Sequence, residues 1–107
     1  MNRLIILFVT LLYSGLSFAG SATGKVTTVF VADGSPSVLF VLNTQINNTP
    51  RCNEEGRFSL ALNKPGGMAA YMAILEAKKQ GYDVHVEGTN TCTNEWKSED
   101  IKNITIK

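Results

Sequence analysis

His85 is the only histidine in this 107-residue chain, so any Ser-His or Cys-His catalytic pairing has to pass through it. It sits in Asp83-Val84-His85-Val86-Glu87. Alternation there turns the two valines to one side and His85 and Glu87 to the other, more solvated one. Paired carboxylates are the other route to general acid–base work, and they have to converge across a reacting bond. The acidic pairs available, Glu54-Glu55 and Glu99-Asp100, are sequence neighbours in polar segments and read as solvated loop charge. Pro65-Gly66-Gly67 lacks the Lys and Ser/Thr that complete a phosphate cradle, and no GxGxxG, HExxH or GxSxG occurs. Two cysteines and one distant histidine do not make a tetrahedral metal site. The expectation is a protein with no catalytic residues, no metal and no cofactor.

Binding is better served. Tyr82 and Trp96 offer flat apolar faces, and the Asn/Thr-rich stretches 43–49 and 89–94 offer neutral amides and hydroxyls. Sugars meet this mixture, and Tyr and Trp also anchor protein interfaces. The candidate ligand-binding residues are Tyr82, Trp96, Asn47, Asn90 and Thr91. Trp96 has a second reading, as a plug closing the open seam of a barrel. Glu and Asp balance Lys and Arg at nine each once Arg3 is set aside, and no basic stretch exceeds Lys78-Lys79. Phosphate backbones require a concentrated positive field, so neither nucleic acid nor an anionic membrane surface is an expected partner.

Arg3, the apolar run Leu4–Leu12 and the small residues of Ser17-Phe18-Ala19 form a leader with a cleavage point after Ala19. The run is too short to span a bilayer core, which takes about 20 residues, so no stable membrane insertion is expected. Residues 1–19 are set apart as a signal peptide, and 20–107 form one domain, secreted or periplasmic. Thiols oxidise in such compartments, and Cys52 and Cys92 are the only two cysteines. They are expected to form one disulfide.

Three strand-like runs precede one helix, and two follow. Gly24–Ala32 is β-branched and aromatic, and Ser37–Leu42 (SVLFVL) is apolar throughout, as a strand buried on both faces would be. Arg57–Leu62 alternates, with Phe58, Leu60 and Leu62 in phase. Asn63 is the expected cap of a helix that Pro65 opens and Gly81 ends. On that helix Met68, Tyr71, Met72 and Leu75 share one face, and Ala70, Ile74 and Ala77 fill the adjacent stripe. Its first turns are apolar nearly all round. A helix on a single domain keeps a polar outer face, so Met68, Tyr71, Met72 and Leu75 are candidates for contact between copies, with Tyr71 read alternatively as helix core. Asp83–Glu87 is the fourth strand. Asp100–Ile106 is the fifth, with Ile101 out of phase with Ile104 and Ile106, as at a bulge. This order fits a mainly β fold, an OB-fold-like five-stranded Greek-key barrel with its helix between strands 3 and 4. A ferredoxin-like fold would need a second helix, and a sandwich more strands.

The leader followed by GSATGKV, Pro50-Arg51-Cys52, the helix MAAYMAILEAKKQG and the run VHVEGTNTC together resemble small secreted bacterial OB-fold proteins of unassigned function, over essentially the whole mature chain. In architecture and single disulfide the chain is more distantly similar to the receptor-binding B subunits of AB5 toxins, of the subtilase-cytotoxin type. That resemblance implies a homopentameric ring with helices lining a central channel and glycan pockets on the outer surface. The expectation is a non-catalytic binding module for a glycan or protein receptor. The alternative is a small envelope stability or assembly factor without a small-molecule ligand.

Overall fold

The computed structural model describes residues 19–31 and 34–107. The expected leader, apart from Ala19, lies outside the described residues. Five strands and one helix follow one another as β1 (Ser21–Val31), β2 (Ser37–Leu42), β3 (Phe58–Ala61), α1 (Gly67–Gln80), β4 (Asp83–Gly88) and β5 (Glu99–Ile106). The chain is mainly β, and the helix falls between the third and fourth strands as its sequence predicts.

β1 is long enough to serve two partners. Its first half, Ser21–Lys25, runs antiparallel to β4, and its second half, Val26–Val31, runs antiparallel to β2 across a register shift between Val26 and Thr28. β2 pairs antiparallel with β3, β3 parallel with β5, and β5 antiparallel with β4. The order β1-β2-β3-β5-β4 therefore closes on itself. β1 begins three residues before the expected Gly24. Ala22 and Gly24 are weak strand formers, but both are small and buried, and pairing with β4 extends the strand across them. In β5, Gly88 stands opposite Ile101 while Glu87 stands opposite Asn103. Lys102 is the extra residue of a bulge, which accounts for the phase slip at Ile101.

The enclosed core holds Val38, Phe40 and Leu42 of β2, Phe58 and Leu60 of β3, and Val84 and Val86 of β4. The Phe40 and Phe58 rings lie 5.7 Å apart between centroids, tilted by 30°. α1 turns Ile74 and Ala77 into this core, with Ala70 and Tyr71 partly buried against it. Its start differs from expectation. Asn63 is exposed and caps nothing; the N-cap is Gly66, in the left-handed region at φ 79° without a side-chain cap bond. The start packs closely against β3: a Cβ at Gly67 would collide with the Ala61 carbonyl at the end of that strand. The far end follows the sequence. Gly81 takes φ 73°, and the Tyr82 N–H donates to the Ala77 carbonyl at 3.0 Å, the closing bond of a Schellman turn.

Cys52 and Cys92 are bridged, with Cα atoms 6.1 Å apart. The bridge ties the β2–β3 connection to the β4–β5 connection. Among the described residues no helix is long and apolar enough to cross a membrane.

Candidate functional site

The β4–β5 connection carries most of the Asn and Thr singled out by sequence, and one carboxylate shapes it. Glu99 and Asp100 open β5 and are both buried, at 0% and 5% exposure. This corrects the reading of the pair as solvated loop charge. Asp100 accepts from backbone N–H and hydroxyl donors on both oxygens, which is what makes burial of a carboxylate tolerable, whereas Glu99 accepts from backbone N–H groups on Oε2 alone.

Asp100 accepts from the Thr93 N–H (3.0 Å to each oxygen), the Asn94 N–H (2.8 Å), the Thr91 hydroxyl (2.8 Å) and the Thr93 hydroxyl. Ser59 of β3 donates its hydroxyl from the neighbouring strand at 3.2 Å. Burial pushes the Asp100 carboxyl up; the bonds from the Thr93 side chain, the Asn94 and Thr93 backbone and the Thr91 side chain outweigh it, leaving the group below its ordinary range. The loop is thus wrapped around a fixed negative charge.

Beside this loop runs a groove of about 470 Å³. Thr89, Thr91, Thr93 and Asn94 line it from the loop, and Lys64, Gly66 and Gly67 line it from the start of α1. Ala70, Ile101 and Ile104 supply apolar surface, and Lys102 and Asn103 of β5 complete the rim. Lys64 Nζ donates to Asn94 Oδ1 at 3.2 Å, linking the two segments. Neutral donors and acceptors beside small apolar patches suit a hydroxyl-rich molecule, and the two lysines leave the rim mildly positive.

Of the residues expected to bind ligand, Thr91 lines this groove. Asn90 adjoins it with φ 69°, its N–H donating to Glu99 Oε2 at 3.0 Å. Asn47 lies elsewhere, exchanging backbone hydrogen bonds with Ser21 in an isolated bridge. Tyr82 follows the helix, 45% exposed, and lines none of the cavities described. Trp96 is 75% exposed, so it is not a plug in a seam. Lys97 lies over its ring at 4.1 Å, and Arg57 Nη2 reaches its carbonyl at 3.5 Å. The loop turns outward there, with Lys97 at φ 61°.

His85 lies on the outer side of β4, as its alternation implies. Its Nδ1 is 2.6 Å from Thr23 Oγ1, and its Nε2 is 3.5 Å from Glu87 Oε1. On α1, Met68 and Met72 are 56% and 65% exposed and Leu75 is also exposed, whereas Tyr71 is half-buried. The core therefore takes the stripe of Ile74 and Ala77 and leaves the methionine face uncovered.

The stretch 89–94 was named from sequence, but Thr89, Thr93 and Asn94 within it were not singled out as groove residues; Asn103, and Asp100 as the group that organises the loop, were missed outright. The usable signal was the run of Thr and Asn from Thr89 to Asn94 followed within one loop by an acidic residue. Comparison with protein families, characterised proteins and solved structures finds no match to this chain.

Proposed function

We propose that this protein is an exported, non-catalytic binding module that takes a glycan in the groove between the 89–94 loop and the start of α1. The observation that carries the reading is that groove: hydroxyls and amides held in place by a buried carboxylate, with Ile101 and Ile104 beside them. Sugar rings present C–H faces and hydroxyls together, and a pre-ordered wall of donors and acceptors lowers the entropic cost of binding them. The same proposal takes the closed sheet as an OB-fold-like Greek-key barrel, supported by its strand order and the position of α1.

The test is a glycan array probed with the chain from Gly20 to Lys107, followed by calorimetry on the sugars retained. Asn94→Ala and Asn103→Ala each remove a rim amide without touching the core. Either should weaken binding about tenfold, the value of one hydrogen bond at roughly 1.4 kcal/mol. An array without signal refutes the reading.

A second reading has its own observation. The uncovered face of Met68, Met72 and Leu75 is an exposed apolar strip along the helix. Contact between copies through this strip, as in a ring of five, combines with the glycan reading; contact with a different envelope protein is the assembly-factor alternative. Light scattering coupled to size exclusion separates them, a pentamer supporting the first and a strict monomer with a silent array the second.

A further inference from the structure

Glu99 raises a question that the groove does not answer. Its side chain is fully buried, and Oε2 accepts from the Gly20 N–H and the Asn90 N–H, each at 3.0 Å. Oε1 is equally buried and has no hydrogen-bond partner among the described residues. Among the described residues, the ion pairs join Lys25 to Asp83, His85 to Glu87 and Lys97 to Glu54, and none reaches Glu99. A carboxyl in this condition can stay ionised only at a large desolvation penalty unless a cation meets it; the other escape is protonation.

The site around it is shaped for close approach. A Cβ at Gly20 would strike Glu99 Oε1, and a Cβ at Gly88 would strike Glu99 Oε2. Gly20 is itself buried, held by the Gly88 N–H donating to its carbonyl at 2.8 Å, whereas Ala19 before it is exposed. The chain thus passes from solvent to a buried nitrogen at one peptide bond, Ala19–Gly20. That is the bond after which leader cleavage is expected.

We propose that Gly20 is the first residue of the mature protein and that its α-ammonium forms a buried ion pair with Glu99, so that leader removal completes the fold. Hydrolysis of the Ala19–Gly20 bond by a leader-cleaving peptidase adds one water: the hydroxyl stays on the Ala19 carbonyl carbon, and the freed Gly20 amine takes a proton. The amide had one N–H to give; the ammonium has three, enough to reach Oε1 as well as Oε2, and it brings the missing positive charge. The pairing rests on the export reading for the peptidase, but not on glycan binding.

Two measurements test it. The intact mass of the exported protein should correspond to Gly20–Lys107 with one disulfide; any other first residue overturns the proposal. Independently of export, a chain released by a site-specific protease to begin at Gly20 is compared with one that keeps Ala19. The Gly20 chain should unfold at a urea midpoint higher by roughly 1 M or more, and equal midpoints overturn the pairing. Glu99→Gln should abolish that difference. Should Glu99→Gln not fold, amine acylation of the wild-type chain decides: the Gly20 amine should react at least about tenfold more slowly than the exposed lysines when folded and comparably in urea. Equal reactivity in the folded chain overturns the pairing. A blank glycan array alongside these results would refute the groove reading alone.

Discussion

Replacing both cysteines by serine isolates the contribution of the disulfide. Cys52 is exposed and Cys92 half-buried, so the substitution opens no sizeable cavity and the lost chain constraint dominates. The bridge spans a sequence separation of 40. The chain-entropy relation gives about 13 cal/mol/K for that loop, or roughly 4 kcal/mol at 25 °C. A domain of this size holds on the order of 4–13 kcal/mol in total, so the loss removes between a third and all of it. With a urea m-value of about 1–2 kcal/mol/M, the midpoint of Cys52→Ser/Cys92→Ser should fall by roughly 2–4 M. Trp96, at 75% exposure, changes its surroundings little on unfolding, which makes far-UV circular dichroism the better probe. Reduced wild-type protein should match the double variant. A midpoint within about 0.5 M of wild type would refute the argument that the crosslink's constraint on the unfolded chain is a main source of stability.

Ile74→Ala empties the fully buried centre of the α1 contact and should cost about 2–5 kcal/mol, read from urea melts. Met72→Lys, on the exposed face, should leave the melt unchanged while abolishing any oligomer seen by light scattering. Asp100 has a folded-state pKa below its ordinary value, so its stabilisation is present above the unfolded value near pH ~3.9 and is lost as pH falls through the folded pKa. Wild-type midpoints measured from pH 7 downwards should therefore drop below about pH 4, and Asp100→Asn should be less stable at neutral pH with a shallower acid slope. A steeper slope in the variant would contradict the bonding seen around the carboxylate.

The parts of the fold that were legible are those written in local pattern. SVLFVL between turn residues is a strand buried on both faces, and β2 has those boundaries. Val84 and Val86 alternate inward, His85 and Glu87 outward, as the short run implies. The slip of Ile101 announced a bulge, and Gly81 announced a helix end. The start of α1 was not legible, because a good capping residue, Asn63, precedes the helix. The helix starts instead after Gly66, which takes the left-handed region, and Gly67 lies so close to the Ala61 carbonyl that only glycine fits there, a closeness that comes from how the helix lies on β3.

The site was less legible for a related reason. Polarity was equated with exposure at Glu99-Asp100, and that equation fails where other segments donate enough N–H and O–H groups to replace water. For Asp100 those donors come mainly from Thr91, Thr93 and Asn94, close enough in sequence to have been suspected. For Glu99 they come from Asn90 and from Gly20, the latter 79 positions away, and only the closing of β1 against β4 brings Gly20 there. The two adjacent carboxylates have consequently opposite standing. Asp100 is saturated with donors, so its charge is accounted for and its role is to hold the groove wall. Among the described residues Glu99 has one oxygen without a partner and two glycines close against it; were it ionised, a charge so placed would call for a cation that can enter without a side chain, and a terminal amine on glycine is the smallest group a polypeptide has for that purpose.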